Sequence, residues 1–189
     1  MRLLMTHLWL LWLLFPLPSA AQEGPPPVRS SPLKFEVTVA RGLLEGTQTG
    51  RLFVVISRSD EPEPRLTIGT TGLNVPPVIA ADVADFTPGV SGFLDRTSAI
   101  FPIERLSDLP PGEYFVQAVF DYNNDLKSVN APGNLYSKAG KTRLDPLRDT
   151  TFRIMLTEKV PPERLPAESR YVKYVKLKSK LLSAFHGRP

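Results

Sequence analysis

Few residues of this chain combine the types and spacing that catalysis needs. Nucleophilic catalysis requires a serine or cysteine beside a base, and the chain has no cysteine and two histidines, His7 and His186. His7 lies in the apolar N-terminal segment. His186 lies within the last few residues, where a solvent-exposed turn is the expected setting. Gly89-Val90-Ser91-Gly92 is similar to a Gly-x-Ser-x-Gly nucleophile elbow but is one residue short. We therefore predict no catalytic residue in this chain.

One spacing is typical of a metal site. Asp121, Asn123 and Asp125 place oxygen ligands at alternate positions, as the opening of a calcium loop does. Leu126 stands where the glycine of such a loop is expected, and no acidic residue follows at its far end. Two interpretations remain open, a calcium site and a polar turn whose Asn and Asp side chains bond to their own backbone. The second is favoured, and we predict no metal or cofactor.

Paired carboxylates and clustered aromatic rings are the other candidates for a site. The acidic pairs, which are more simply solvated turns, are Asp60 with Glu63 and Asp82 with Asp85. Four aromatic residues would form a carbohydrate platform if they faced solvent: Tyr114, Phe115, Phe120 and Tyr122. Because they alternate with valine and alanine, packing in a core is the favoured interpretation.

The strongest structural signal is the stretch Leu109 to Tyr122. Pro110-Pro111-Gly112 predicts a turn, and an extended segment rich in aromatic and β-branched residues follows it. Alternate positions from Tyr114 to Phe120 are all apolar, whereas the opposite face becomes polar towards Asp121. This pattern is typical of a central strand in a β-sandwich, and the turn followed by tyrosine is similar to the tyrosine corner of immunoglobulin-like domains.

The remaining alternation predicts an all-β fold. With 20 Pro and 12 Gly in 189 residues, short strands joined by turns are favoured over long helices. Further strands are expected at residues 33–41, 50–59, 65–68, 78–82 and 150–156. The segment Leu52 to Ile56 is continuously apolar and should be buried on both sides. We predict an immunoglobulin-like antiparallel β-sandwich over residues 33–158.

The N-terminus has the features of a secretory signal peptide. Arg2 precedes the apolar run Leu8 to Phe15, and Ser19-Ala20-Ala21 supplies small residues for cleavage after Ala21. An uncleaved membrane anchor is the alternative, although the run is shorter than the ~20 residues that span a bilayer. Residues 22–32 are rich in Pro, Ser and Gly and predict a linker. The mature chain is expected to be secreted or periplasmic and not bound to a membrane.

Charge separates the C-terminus from the rest. Residues 159–189 carry eight basic and two acidic side chains, whereas residues 22–158 carry 14 basic and 17 acidic ones. An exported chain without interleaved arginines and aromatics is not expected to bind nucleic acid. Residues 159–170 predict a proline-rich linker, and Tyr171 to Leu182 predicts a lysine-lined strand. That strand, a C-terminal orphan, needs a partner. Either it docks back on the sandwich, or the natural protein continues beyond Pro189 and supplies one.

Three segments together carry a family resemblance. They are Asp108 to Val119, Pro132-Gly133-Asn134-Leu135-Tyr136-Ser137-Lys138, and Tyr171-Val172-Lys173 with Ser179-Lys180-Leu181-Leu182 and Gly187-Arg188-Pro189. They resemble the N-terminal part of secreted bacterial esterases with an enterochelin-esterase-type α/β-hydrolase domain. The resemblance implies that residues 171–189 are the first strand of a hydrolase domain. It also implies that the catalytic residues lie beyond this truncated chain. The loop from Asp121 to Asn130 is shorter than that family's.

Three functions follow as hypotheses. The first is a non-catalytic accessory module of a secreted carboxylic ester hydrolase, whose partner is that enzyme's own hydrolase domain. The alternative is a free-standing exported β-sandwich that binds a protein or carbohydrate ligand. A small hydrolase in its own right is disfavoured, because His186 is the one histidine outside the signal peptide. Oligomeric state is left open.

Overall fold

The structure is a computed structural model that describes residues 30–175 and 177–187. Within them lie ten strands: β1 (Lys34–Val39), β2 (Gln48–Ser57), β3 (Val78–Phe86), β4 (Gly92–Leu94), β5 (Ala99–Phe101), β6 (Gly112–Asp121), β7 (Leu135–Tyr136), β8 (Gly140–Leu144), β9 (Thr151–Leu156) and β10 (Glu158–Lys159). Two short 3₁₀ helices cover Pro64–Thr67 and Leu106–Asp108, and one α-helix, α1, covers Lys180–His186.

The strands form two sheets. The smaller has the order β4-β1-β9, and the larger has the order β10-β7-β6-β2-β3-β5, with β8 beside β7 along the same edge of β6. All strand pairs are antiparallel except β1 with β9, which places Phe35 opposite Phe152 in parallel register. The predicted all-β sandwich of mainly antiparallel strands is confirmed.

The apolar faces predicted from alternation meet in the core between the sheets. Core residues of β1, β6 and β9 include Phe35, Val37, Tyr114, Val116, Ala118, Phe120 and Leu156. Phe86 and Phe120 pack edge to face with ring centroids 4.8 Å apart, a geometry that aromatic pairs prefer. The core role expected for Tyr114 and Phe120 is confirmed.

The second face of the large sheet is also covered. Val55, Gln117 and Val119 have no exposed surface, although they point away from the core between the sheets. The 3₁₀ helix Pro64–Thr67 lies over them, and the backbone N–H of Arg65 donates to Gln117 Oε1 at 2.8 Å. The prediction that the run Leu52 to Ile56 is buried on both sides is confirmed for Leu52, Val54, Val55 and Ile56, whereas Phe53 is half-buried.

Two predicted strands are wrong. The sequence predicts a β-strand at residues 65–68, but a 3₁₀ helix begins there at Pro64. Within this helix Thr67 Oγ1 donates to the Pro64 carbonyl. Proline is favoured at this first position because its missing N–H is not needed.

The predicted C-terminal strand over 171–182 is also absent from the described residues. Residues 171–175 and 177–179 belong to no strand, and α1 begins at Lys180. Ser179 Oγ caps this helix by accepting from Leu182 N at 3.3 Å, and Gly187 ends it with φ of 66°. These cap residues match the signals for helix ends in the sequence.

The predicted signal peptide and residues 22–29 of the predicted linker lie outside the described residues. Ser31, at the end of that linker, is buried, and its hydroxyl donates to the Pro146 carbonyl at 2.5 Å. The packed domain thus includes Ser31. In the described part of the chain, no helix has the length and apolar character needed to cross a bilayer.

Candidate functional site

The C-terminal cleft brings together several side chains that catalysis uses. A cavity of about 370 Å³ is lined by Asp125, Ser179, Ser183 and His186, among others. His186 is exposed and packs edge-on against the Phe185 ring. Within residues 30–175 and 177–187, no hydrogen bond joins either serine hydroxyl to the imidazole. Neither Ser179 nor Ser183 is therefore hydrogen-bonded to His186 as a serine nucleophile is to its base.

Ser91, the serine of the incomplete elbow, is bound to a carboxylate. Its hydroxyl donates to Glu36 Oε1 at 2.7 Å across the β1–β4 pair, and Arg153 Nε donates to Glu36 Oε2 at 3.0 Å. The Ser91 bond, together with the bond and the charge of Arg153, holds the pKa of Glu36 below its usual value and outweighs burial, which acts to raise it. Ser91, which directly precedes β4, is therefore bonded to Glu36 of β1.

The possible calcium ligands bond within the protein. Asn123 Oδ1 accepts from the backbone N–H groups of Asp125 and Leu126 at 2.8 and 3.0 Å. Asp121 Oδ1 accepts from Asn134 Nδ2 at 2.7 Å. Burial raises the pKa of Asp121 despite this bond. No cluster of three His, Asp or Glu residues suited to a metal occurs among the residues that the structure describes. The polar-turn interpretation fits these contacts.

Asn134 is the hub of this turn, and it belongs to the distinctive segment Pro132 to Lys138. Its side chain is fully buried. Oδ1 accepts from the backbone N–H groups of Tyr122 and Asn123 at 3.1 and 3.0 Å. Nδ2 donates to Asp121 and to the carbonyls of Ser128 and Val129. One amide thus fixes the whole loop that leaves β6.

Two further residues of the segment also have structural partners. Ser137 Oγ accepts from Ala118 N at 2.9 Å, where the chain passes from β7 to β8 and the ladder is interrupted. The guanidinium of Arg65 stacks over the ring of Tyr136, with its central carbon 4.1 Å from the ring centre. The segment that carries the resemblance therefore organises the sandwich, and sequence reasoning had not assigned it this role.

The acidic pairs do not form acid–base sites. Glu63 accepts from Arg65 Nε at 2.9 Å and from Gln117 Nε2 at 2.6 Å. Burial alone would raise the pKa of Glu63, but these bonds and the Arg65 charge outweigh it and lower the pKa. Asp82 lies 3.6 Å from Arg51 at the exposed edge of β3. Both arrangements are structural ion pairs.

The tyrosine corner has formed at the start of β6. Tyr114 OH donates to the Pro110 carbonyl at 2.5 Å, so the phenol ties the turn to the strand. Arg58 Nη2 donates to the phenol oxygen of Tyr114 at 2.7 Å, and the Arg58 guanidinium lies 3.9 Å from the centre of the Tyr114 ring. Burial raises the pKa of Tyr114, although Arg58 opposes this shift. Sequence reasoning missed Arg58.

Gly112 makes room for this contact. A Cβ at Gly112 would lie 2.5 Å from Arg58 Nη1, so glycine allows the guanidinium to cross the strand. Pro-Pro-Gly before a tyrosine is the one sequence signal for the corner, and it does not identify the arginine that lies 56 positions before Tyr114.

The segment after the proline-rich stretch exposes much apolar surface. Eight large apolar side chains between 171 and 185 are at least one third exposed: Tyr171, Val172, Tyr174, Val175, Leu177, Leu181, Leu182 and Phe185. Lys173 pairs with Glu168 at 2.8 Å. So many exposed apolar side chains in one short stretch of chain are typical of a segment that contacts a partner. We call residues 171–187 the C-terminal segment.

Comparisons of this chain with protein-family models, with curated proteins and with solved structures find no match. The resemblance to esterases therefore remains a prediction. The fold defines the class of the protein, an all-β sandwich with an exposed C-terminal segment.

Proposed function

We propose that this chain is a non-catalytic accessory module of an exported carboxylic ester hydrolase. In this proposal the C-terminal segment packs against the hydrolase domain. The observation that carries it is the exposure of that segment, where Tyr171, Leu177, Leu181 and Phe185 each present more than four fifths of their surface to solvent. Burying such side chains against a partner is favourable by about 1.5–3 kcal/mol each.

Charge and connection support the same role. The basic residues that follow Lys159 flank the apolar side chains and favour a partner surface with carboxylates at its rim. Pro161, Pro162 and Pro166 precede the segment, and residues 161–170 belong to no helix or strand. Such a connection is typical of a linker between domains. The sandwich would then position or partly cover the active site of the enzyme.

An ester-hydrolysis assay tests the non-catalytic part of the proposal. The purified chain should hydrolyse p-nitrophenyl acetate no faster than buffer with matched free histidine does, and His186→Ala should change nothing. Turnover that His186→Ala abolishes would overturn this part.

Sequencing the coding DNA past the Pro189 codon tests the covalent link. An open frame that continues into a Gly-x-Ser-x-Gly segment supports the proposal. A stop codon directly after Pro189 contradicts it and favours the second candidate, a free-standing binding module. The observation that favours this candidate is a groove of about 800 Å³ at the tyrosine corner.

A further inference from the structure

The groove lies at one end of the sandwich, between three connections. They are the residues after β2 (58–62), the loop before β3 (70–77), and the crossover into β6 (103–110). Its volume of about 800 Å³ falls in the range of small-molecule sites, which often lie among loops that a rigid scaffold holds. Ile56, Val75, Pro77, Ile103 and Leu109 give it an apolar lining.

Arg58 is the cation of this groove. Its two described hydrogen bonds go to neutral oxygens, Tyr114 OH at 2.7 Å and the Glu113 carbonyl at 3.2 Å. The ion pairs of the described residues do not include Arg58. A guanidinium has five N–H donors in a planar fork that matches a carboxylate. Arg58 therefore retains donors for an anionic ligand while Tyr114 holds it in place.

Most other polar groups of the lining already have partners. Ser57 Oγ accepts from Ser59 N, and Ser59 Oγ donates to the Glu61 carbonyl. The hydroxyls of Thr67 and Thr70 donate to backbone carbonyls. These groups offer little for the many hydroxyls of a sugar.

The aromatic face is also unsuited to a sugar. Arg58 covers the Tyr114 ring at 3.9 Å, so no stacking platform faces the groove. Glu61 also lines the groove, and its negative charge opposes any anionic ligand. The carboxylate of a ligand therefore has to lie on Arg58, and a ligand with one negative charge is favoured over one with two.

We infer that this groove binds a monocarboxylate with an apolar body. The carboxylate lies on Arg58, and the body lies over Val75, Pro77 and Leu109. Both a free organic acid and the C-terminal carboxylate of a peptide chain carry this chemistry. The inference does not depend on the accessory role proposed above, because the groove lies on the sandwich itself.

Titration of the full chain with matched ligands tests the inference. The probes are 4-phenylbutyrate and N-acetyl-Leu-Leu, each compared with its neutral amide by calorimetry. Each acid that binds should do so at least tenfold more tightly than its amide. Binding of the free acid alone or of the peptide alone identifies the source of the natural ligand.

Variants locate the site. Arg58→Gln should weaken binding of the acid about tenfold, whereas Arg51→Gln, at the other end of β2 and also beside an aromatic ring, should not. Arg58→Gln also removes a contact to Tyr114, so a second pair of variants, at Thr71, is needed to test the groove with the Arg58–Tyr114 contact intact. Thr71→Glu places a negative charge in the groove and should weaken binding, and Thr71→Gln should not.

Three results would overturn the inference. They are equal affinity for acid and amide, equal weakening by Arg51→Gln and Arg58→Gln, and no binding of either acid at millimolar concentration. Each leaves the ester-hydrolase proposal standing, because that proposal is tested by the coding frame and the turnover assay.

Discussion

Replacing Asn134 by alanine should destabilise the sandwich more than any other single polar substitution in the loop after β6. The side chain is fully buried and accepts from two backbone N–H groups, those of Tyr122 and Asn123. It also donates to Asp121 and to two carbonyls. Alanine removes all these partners together.

The size of the stability loss follows from the backbone N–H groups of Tyr122 and Asn123, which both lose their acceptor. A buried polar group left without a partner costs about 1–3 kcal/mol, so two such groups cost roughly 2–6 kcal/mol. Tyr122 and Asn123 are only half-buried, and water reaches part of the space. We therefore expect a loss of about 2–4 kcal/mol in the free energy of unfolding, or a fall in Tm of roughly 6–15 °C.

Urea denaturation followed by far-UV circular dichroism measures this loss. Tryptophan fluorescence would not report on the sandwich, since both tryptophans, Trp9 and Trp12, precede it. Asn124→Ala is the matched control, because Asn124 is exposed in the same loop and should change stability by less than ~0.5 kcal/mol. A loss below ~1 kcal/mol for Asn134→Ala, or an equal loss for Asn124→Ala, would refute the role of Asn134 as the hub.

Asn134→Asp adds a test by pH. The isosteric carboxylate faces Asp121 Oδ1, which lies 2.7 Å from the present amide nitrogen. Two carboxylates this close favour sharing a proton. The folded state should then bind more protons than the unfolded state, so stability falls as pH rises. The penalty should be large at pH 7 and shrink below pH 5; a penalty independent of pH would contradict this account.

Three further predictions concern contacts around β6. Burial raises the pKa of Asp121 in the folded state, so its ionisation opposes folding. Asp121→Asn should be more stable than the parent at pH 7, and the gap in urea midpoint should close as pH falls below the ordinary carboxyl range. Tyr114→Phe removes the bonds to Arg58 and Pro110 and should cost about 1–3 kcal/mol in thermal unfolding. Gly50→Ala places a Cβ 2.4 Å from the Asp121 carbonyl and should cost about 1–3 kcal/mol, whereas Gly140→Ala, with nothing within 4 Å, should cost less than Gly50→Ala does.

Alternation was sufficient to predict the faces of the long strands. Phe35 and Val37 in β1, and Val116 and Phe120 in β6, point where their spacing places them. The reason is physical: a strand has a period of two, and one face must be buried against a second sheet. The same rule could not show that Gln117, on the other face, is equally buried, because what covers it is 52 residues away in the chain.

Short elements and distant partners escaped prediction for a related reason. The composition of the run Tyr171 to Leu182 is typical of a strand, yet a strand requires a partner, and none of the described strands pairs with this run. In its absence the local caps at Ser179 and Gly187 decide the conformation, and α1 forms. Arg58 and Arg65 were missed because their stacking on Tyr114 and Tyr136 depends on tertiary contacts.

Asp121 and Asn123 have the spacing of calcium ligands, but in the structure they stabilise a turn. Asn123 and Asp121 have the side chains that calcium uses, but the chain bends there, and the same oxygens satisfy backbone N–H groups and Asn134. A loop that leaves a buried strand must find partners for its amides before it can bind an ion. Arg58 is different, because its described bonds leave part of a charged group unused at the mouth of an apolar groove. This spare hydrogen-bonding capacity distinguishes Arg58 from Asp121 and Asn123, and it is the reason that we propose a ligand site at Arg58 and none at the turn after β6.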